Sequence, residues 1–574
     1  MWTQSYDPVG NVLASALVAA LPVAFLFWAL TVQRMRGHTA GLSTVGVAVV
    51  VAVAAYHMPL RLAVASTVQG ALYGLFPIGW IVVAAVFLYR ITVDTGQFDL
   101  IKNSIAAITD DRRLQALLIA FGFGAFLEGA AGFGTPVAIS AAMLVGLGFE
   151  PHQAAGLCLI ANTAPVAFGA IGTPVVVAGQ VTGIDDRLIS QMVGRQLPLL
   201  SMIVPFWLVF TMSGRRGVRE VWPAALVCGG SFALAQWWTA NYLGPLLPDV
   251  VSSLCSILCL VLFLRVWTPP TVFRFDGERP PAVAEPLSPW RVFRAWSPFV
   301  VLTIIVGDWG IRPVKAILER ATLSVPFPCI HNAVTVPGEA RPLAAVFSFN
   351  WLSATGTAIL LAALVAVAIT GMSPRRAARV FGRTLKSLAA PLVTVAAVLG
   401  FAYIGNSSGM TTAMGMALAS TGGMFPLFSP VLGWLGVFMT GSDTSANALF
   451  GRLQIVSARR LGVSPVLAIA SNSSGGVTGK MISPQSIAVA CGATGRAGSE
   501  SSLFRYTLPH ALLFVAIVAA TSYLQATIFR WMVPAIDAAP SAARVVAGSA
   551  AVGWACLGVS SLVVAGLVVA VRRR

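Results

Sequence analysis

Runs of about twenty apolar residues recur along the chain, and they restrict its possible folds more than any other feature. Examples are Val12–Val32, Trp351–Thr370 and Ala547–Val571. A helix needs roughly 20 such residues to cross a bilayer. Because 57% of the 574 residues are hydrophobic and only 10% are charged, a water-soluble fold of this size could not bury the apolar surface. The sequence therefore predicts an all-α polytopic integral membrane protein with about 12–14 transmembrane segments, surrounded by membrane lipid.

Basic residues lie in short clusters between the apolar runs, for example at Arg34 with Arg36 and at Arg572–Arg574. Such clusters mark the cytoplasmic side of a membrane protein, so we expect the N-terminus outside and the C-terminus in the cytoplasm. They explain the net charge of +17 without nucleic acid as a partner. Seven cysteines without a CxxC pair and five histidines without ligand spacing predict no disulfide framework and no metal site. No cofactor is expected.

The alternation of spans and basic clusters divides the chain into five parts. Residues 268–291 are too polar to span a membrane and too rich in proline for a helix, so they are expected to form a cytoplasmic linker. Residues 311–347 are expected to form an outside loop. The predicted parts are N-terminal spans at 1–70, a first repeat with a re-entrant hairpin at 71–220, connecting spans at 221–386, a second repeat at 387–525 and a C-terminal span at 526–574.

Two apolar regions broken by Gly and Pro carry similar motifs in the same order. FLEGAAGFG at 126–134 resembles FMTGSDTSA at 438–446, and IANTAPVAFGAIGTPV at 160–175 resembles ASNSSGGVTGKMISPQ at 470–485. The basic clusters give the two units opposite orientations in the membrane. Inverted repeats with interrupted helices are typical of secondary transporters. The predicted fold is therefore an inverted-repeat transporter with re-entrant hairpins and broken helices.

The Gly- and Pro-broken stretches predict a solute-binding site at membrane depth. Lipid offers no hydrogen bonds, so exposed backbone there must be satisfied by protein, water or a solute. Glycine N–H groups and half-helix N-termini can hold an anion, and asparagine amides can bridge broken helix ends. The predicted substrate-binding residues are Lys480, Gly129, Gly132, Gly134, Asn162, Thr163, Thr173, Ser442, Thr444, Asn472, Ser473, Gly475, Gly476 and Ser483.

Three ionisable residues stand out within the broken regions: Glu128, Asp443 and Lys480. A charge at the bilayer centre costs about 3 kcal/mol on insertion scales, so function or pairing is expected to explain each. Lys480 can bind a substrate carboxylate or form a structural ion pair with Asp443 or Glu128. Both interpretations hold if substrate competes for the pair. Glu128 and Asp443 are proton-coupling candidates, since a poorly solvated carboxyl group can load and release a proton. Each could instead cap backbone N–H groups.

The stretches FLEGAAGFGTPVAI, NTAPVAFGAIGTPV, GSDTSANALFG and GGVTGKMISPQSIAVA resemble signature sequences of the L-lactate permease family, across about residues 77–505. The resemblance implies uptake of L-lactate, and of D-lactate or glycolate, together with a proton across the bacterial inner membrane. Through the ion transporter superfamily it also implies a scaffold part, a moving part with two re-entrant hairpins, and homodimers. The Asn-hydroxyl hairpin tips of that superfamily would correspond to Asn162-Thr163 and Asn472-Ser473. The sequence departs from the family pattern at Ala446 and Arg452.

Two other functions were weighed against this one. A sodium-coupled carboxylate symporter of the same fold remains the alternative, because Asn and hydroxyl oxygens could coordinate sodium. Lys480 argues against it, since a fixed ammonium could occupy the place of a coupling cation. An enzyme acting on lipid-linked substrates is not expected, because no DxxD-like pair lies in a polar loop, and no nucleotide-binding loop is present either.

Overall fold

The computed structural model describes residues 1–33, 35–106, 108–130, 132, 135–275, 288–310, 312–337, 342–496, 499–535 and 548–573. Gly134, a predicted substrate-binding residue, lies outside these residues. The described part is mainly helical. Four short strands form two small sheets, one parallel (β1 with β3) and one antiparallel (β2 with β4). The strands are β1 (Trp2–Thr3), β2 (Leu323–Pro326), β3 (Val334–Thr335) and β4 (Val346–Phe349).

The first half of the chain begins with apolar helices and then breaks into short ones. Asn11 starts the first helix by accepting hydrogen bonds from the N–H groups of Leu13 and Ala14 at 2.9 and 3.1 Å, as an N-cap residue does. The helices are α1 (Val12–Thr31), α2 (Gly37–Ala54), α3 (Leu60–Tyr73), α4 (Trp80–Asp94), α5 (Gln97–Ala106), α6 (Arg112–Ala116), α7 (Gly124–Ala130), α8 (Thr135–Gly146), α9 (Pro151–Ala161), α10 (Gly169–Thr182), α11 (Asp186–Tyr242) and α12 (Pro248–Phe263).

The second half repeats this change from long to short helices. Proline stands in the first turn of several of them, where its fixed φ suits a helix start. The helices are α13 (Pro289–Gly310), α14 (Arg312–Leu318), α15 (Thr355–Thr370), α16 (Pro374–Ser408), α17 (Met410–Leu418), α18 (Phe425–Thr440), α19 (Asp443–Arg460), α20 (Pro465–Gly479), α21 (Pro484–Ala493), α22 (Glu500–Thr527) and α23 (Gly548–Arg573).

Membrane-spanning helices account for most of the fold. Within the described ranges, nine helical segments are long and apolar enough to cross a bilayer, and the bent pair α9–α10 makes up to ten. Helices α1, α15 and α23 coincide with the apolar runs from which spans were predicted. The prediction of an all-helical polytopic membrane protein is confirmed.

Helix α11 is 57 residues long because it combines two antiparallel spans. The helical conformation is interrupted at Gly214, where φ is 62°, a value that glycine adopts readily. The two halves then pack side by side, since Gln191 donates to the carbonyl of Asn241 at 3.2 Å and Ser201 donates to Gln236 at 2.7 Å.

Residues 112–146, the first hairpin, enter and leave the molecule on the same side. Both of its ends contact one stretch of the linker. At the start, Asp111 accepts a hydrogen bond from the Phe273 N–H at 3.0 Å. Just beyond the end, the ring of Phe149 packs edge-on against Phe275, with centroids 5.0 Å apart. This is the geometry of a re-entrant hairpin.

Residues 425–460, the second hairpin, also close on themselves. Phe425 at the start of α18 and Ala458 near the end of α19 are buried in one cluster. The turn between the two helices falls at Gly441 and Ser442, where Gly441 has a φ of 68°. The second repeat therefore contains a re-entrant hairpin as well.

Two broken helices run between the hairpins in opposite directions. The first (α9–α10) begins beside the base of the first hairpin and bends by 66°. The second (α20–α21) begins beside Phe425 at the base of the second hairpin. It ends near Arg496, whose guanidinium pairs with Glu150 at the base of the first hairpin at 3.3 Å. The two repeats are therefore inverted, as the sequence predicts.

Candidate functional site

Lys480 and Glu128 form a buried ion pair between the two repeats. Lys480 follows the last residue of α20, and Glu128 lies on α7 in the first hairpin. Lys480 Nζ lies 2.6 Å from Glu128 Oε1, and the side chains are 8% and 4% exposed. An unpaired charge at such a position costs several kcal/mol, which explains why the two charges occur together. The second acid weighed for this pairing, Asp443, does not form it.

A cavity of about 60 Å³ lies beside this ion pair. The first turns of α19 and α21 both line it, and helix N-termini favour anions because their N–H groups point outwards. Among the described lining residues, Lys480 is the one cation. The lining residues are Glu128, Gly132, Val166, Gly169, Ala170, Pro174, Gly441, Ser442, Asp443, Thr444, Lys480, Gln485, Ser486 and Val489.

The backbone of the first broken helix turns sharply next to Glu128. Ala170 and Ile171 have φ angles of 45° and 55°, values that residues with side chains rarely adopt. A Cβ atom at Gly169 would lie 2.6 Å from Glu128 Oε1. Glycine at this position therefore leaves room for the carboxylate to reach Lys480. Strained backbone of this kind is common where proteins bind ligands.

Asp443 is held by polar side chains of the second repeat. Its Oδ2 accepts hydrogen bonds from the hydroxyl of Ser473 and from the amide of Asn447. The same Asn447 amide donates to the carbonyl of Pro174 at 3.2 Å, and its Oδ1 accepts from Asn472 at 2.9 Å. Asn447 thus links Asp443 and the second broken helix to the first one.

Three of the predicted hydroxyl ligands form hydrogen bonds in the first turns of helices. Ser442 caps the first turn of α19, and Ser483 caps the first turn of α21. Thr173 donates to the carbonyl of Ala170 at 2.6 Å. Among the predicted hydroxyl ligands, Ser442 and Thr444 line the cavity, and Ser486 lines it as well.

The structure places most of the predicted glycines within helices. Gly475 and Gly476 lie inside α20, where backbone N–H groups serve the helix itself rather than a solute. Gly129 lies in the last turn of α7. Gly132 lines the cavity and has a φ of 59°, but its N–H donates to the carbonyl of Leu127 at 3.2 Å. Close packing, more than exposed backbone, accounts for these residues.

The two Asn-hydroxyl motifs are not equivalent. Asn162 and Thr163 follow the end of α9, and their buried side-chain polar atoms lack hydrogen-bond partners among the described residues. Asn472 and Ser473 lie within α20, and the break follows at Lys480–Ile482. Neither motif lies at the tip of a re-entrant hairpin: the first lies at the break between α9 and α10, and the second lies inside α20.

Sequence reasoning missed three polar residues near the site: Asp249, Asn447 and Gln454. Asn447 and Gln454 are fully buried on α19, and Gln454 donates to Asn472 at 3.0 Å. Their spacing of seven residues places them on one helix face, a signal that could have identified them. Asp249 immediately precedes an apolar run, a position at which the sequence gives no sign of its burial.

Inverted repeats, two re-entrant hairpins and two broken helices that meet around a buried cation define the class of this protein. It is an inverted-repeat membrane transporter. The chain belongs to the L-lactate permease family, because the family described as L-lactate permease matches residues 15–529. The resemblance seen in the sequence motifs is thereby confirmed.

Named relatives agree with this assignment. The chain is 55% identical to L-lactate permease of Bacillus subtilis and 54% identical to that of Escherichia coli K12, each over 93% of this chain and 100% of the relative. It is 52% identical to the glycolate permease GlcA of E. coli K12, over 92% of this chain and 99% of the relative. These names describe transport rather than catalysis, and the chain is a multi-pass protein of the bacterial plasma membrane.

Among solved structures, the YdaH transporter of Alcanivorax borkumensis is similar, with a TM-score of 0.43 and 15% identity. The similarity covers 82% of this chain and 89% of that one. It is too slight to add to the fold assignment, which rests on the chain's own contacts and on the family.

Proposed function

We propose that this protein imports L-lactate, and also D-lactate or glycolate, together with a proton. The names of the relatives support the substrate class. The observation that carries the proposal is the buried Lys480–Glu128 pair at the edge of the cavity, 2.6 Å between charged atoms. Such a pair provides a cation for a substrate carboxylate and an acid that can take up a proton.

Competition for Lys480 would couple the two solutes. When a substrate carboxylate binds the ammonium, Glu128 loses its counter-charge in a poorly solvated site. A buried carboxylate without a partner is costly, so Glu128 then takes up a proton. The loaded site gains one anion and one proton, and its net charge does not change. Asp443 is the second candidate for holding the proton.

The size of the cavity suits a small acid. Its volume is about 60 Å³, and one water needs roughly 10–15 Å³ by this measure. The space therefore holds about four to six water-sized groups, comparable to a hydroxy acid of two or three carbons. Ser442 and Thr444 line this cavity, and in this proposal their hydroxyl groups bind the carboxylate or the 2-hydroxyl group of the solute.

Uptake driven by a pH gradient tests the proposal. Purified protein in liposomes with an alkaline interior is expected to accumulate radiolabelled lactate about tenfold per pH unit, because one pH unit is worth about 1.4 kcal/mol per coupled proton. An uncoupler should abolish the accumulation. Accumulation that persists after the proton gradient has collapsed would contradict proton coupling.

Sodium coupling is the alternative, and one observation favours it. The polar side-chain atoms of Asn162 and Thr163 are buried without partners among the described residues, and oxygen atoms of this kind can coordinate a cation. The same liposomes, assayed with sodium replaced by choline at constant pH gradient, distinguish the two. Under the proton hypothesis, the rate of uptake should be unchanged.

We also propose that residues 311–347 face the outside, with the N-terminus outside and the C-terminus in the cytoplasm. Cys329 lies in this segment and is exposed, Cys255 and Cys259 in α12 are partly exposed, and Cys158, Cys228 and Cys491 are buried. A membrane-impermeant maleimide should therefore label wild-type protein in intact spheroplasts, and Cys329→Ser should remove the label. Labelling of Cys329 only after permeabilisation would reverse the orientation.

Homodimers are proposed from the family resemblance. Light scattering of the detergent-solubilised protein, corrected for bound detergent, should give twice the chain mass of 59.9 kDa. A mass equal to one chain would contradict a stable dimer.

A further inference from the structure

Asp249 is a buried acid behind the Lys480–Glu128 pair. It lies in the first turn of α12 and is 1% exposed. A Cβ atom added to Gly129, the residue after Glu128, would lie only 2.7 Å from Asp249 Cβ. Asp249 does not line the cavity itself, so a bound solute would meet the ion pair first.

Carboxyl oxygen atoms without hydrogen-bond partners among the described residues occur on both Asp249 and Glu128. Neither carboxyl oxygen of Asp249 has a hydrogen-bond partner among the described residues, and Glu128 Oε2 also lacks one. A buried carboxylate without donors costs several kcal/mol, whereas a protonated carboxyl group is neutral and is itself a donor. One proton on Asp249 would therefore remove a charge and provide a donor in a region where Glu128 Oε2 also lacks a partner among the described residues.

The balance of charges also indicates that Asp249 carries a proton. The groups that act electrostatically on Asp249 are Glu128 on α7 and Lys480 beside α20. On α11, which also packs against α12, Cys228 contacts Ser256, two turns beyond Asp249. One ammonium can balance one carboxylate, so two ionised acids would leave an uncompensated negative charge. Two nearby carboxyl groups in this situation share one proton.

We propose that Glu128 and Asp249 form an acid pair that holds one proton when the site is empty and two when substrate is bound. This rests on the proposed function. In the empty site, Glu128 is ionised on Lys480 and Asp249 is protonated. A substrate carboxylate displaces Glu128 from Lys480, and one proton from solution then neutralises the acid pair. The difference between the loaded and empty sites is one anion and one proton.

In this arrangement, Asp249 can take over the roles of Glu128 as counter-ion of Lys480 and as proton carrier. If Glu128 is replaced by glutamine, Asp249 becomes the counter-ion of Lys480 in the empty site and takes up the proton in the loaded one. If Asp249 is replaced by asparagine, a neutral acid becomes a neutral amide of the same shape, and Glu128 still takes up its proton. Asp443 also lines the cavity, but its carboxylate already accepts hydrogen bonds from Ser473 and Asn447, so the acid pair predicts that it does not replace Glu128 and Asp249. Under this proposal, removal of both acids leaves an anion site without a proton partner.

Transport in liposomes tests this with four variants. Asp249→Asn and Glu128→Gln should each take up lactate more slowly than wild type but still accumulate it with the pH gradient. The double variant should exchange internal for external lactate while its accumulation ratio falls from about ten per pH unit to about one. Asp99→Asn, on an exposed acid paired with Lys102, is the matched surface control and should behave as wild type.

Two results would overturn the acid pair. One is a single variant that exchanges lactate normally but loses all accumulation. The other is a double variant that still accumulates lactate. If wild-type protein fails to accumulate lactate, the proposed function fails instead. Infrared spectra of the empty protein give an independent readout that needs no transport. A protonated-carboxyl band should be present in wild type and missing in Asp249→Asn, and an unchanged band in the variant rejects the proposal.

Discussion

Replacing Lys480 with alanine is expected to abolish lactate uptake and exchange. The ammonium is the one cation among the described residues that line the cavity. A hydrogen bond to a charged group contributes about 1.5–3 kcal/mol, so its loss should weaken substrate binding about 10- to 100-fold. The substitution also leaves Glu128 buried without its partner, which typically costs about 3–5 kcal/mol of folding free energy. Both effects act in the same direction on transport.

Two further variants separate these effects. Lys480→Ala combined with Glu128→Gln removes the unpaired charge, so its melting temperature should recover towards wild type while transport stays absent. Lys386→Ala changes an exposed lysine in a basic cluster of α16 and should leave lactate exchange unaltered. If Lys480→Ala bound lactate with wild-type affinity, the ion pair would be purely structural.

Local sequence signals predicted the class of fold but not the partners within the site. Apolar runs and basic clusters are short-range patterns, and they sufficed for spans and for inverted repeats. Lys480 and Glu128 are 352 residues apart in the chain. Their contact depends on how the first hairpin and the second broken helix come together. The sequence narrowed the partner of Lys480 to two acids, and only tertiary packing decides between them.

The position of Asn472 inside α20, rather than at a helix break, has a local explanation. In the alignment of the repeats, Pro165 of the first unit falls on Gly475 of the second. Proline disfavours the helical conformation in the residue before it and ends α9 near Asn162. Glycine is tolerated within a helix at a cost of about 1 kcal/mol. Helix α20 therefore continues past Asn472 and ends only near Lys480.

Asp249 was missed for a different reason. An acid at the start of an apolar run is typical of a helix N-terminus at the membrane surface, since negative charge is favourable there. Nothing in the local pattern indicates that α12 starts deep in the molecule, against Gly129. Burial of this residue follows from the position of the first hairpin, which periodicity does not reveal.

Replacing Gly433 with alanine is expected to disrupt the second repeat. Helices α18 and α20 pack backbone to backbone, and a Cβ at Gly433 would overlap the carbonyl oxygen of Asn472. A Cβ at Gly475 would likewise overlap the carbonyl of Pro430. Small residues allow such close approach between membrane helices. Because the obstacle is backbone rather than a movable side chain, the helices would have to separate, at a cost of about 1–3 kcal/mol or more.

Separation of α18 from α20 should also disturb the hydrogen bonds of the functional site. It would displace Asn472, whose side chain bonds Asn447 at 2.9 Å and Gln454 at 3.0 Å, and Asn447 in turn holds Asp443. We therefore expect Gly433→Ala to lower the melting temperature, measured by size-exclusion chromatography after heating, and to reduce lactate exchange more than tenfold.

Gly382→Ala is the matched control, because this exposed glycine on α16 has open space around it. It should be as stable as wild type or more stable by about 0.5–1 kcal/mol. Equal melting temperatures for Gly433→Ala and wild type would show that α18 and α20 do not approach as closely as described.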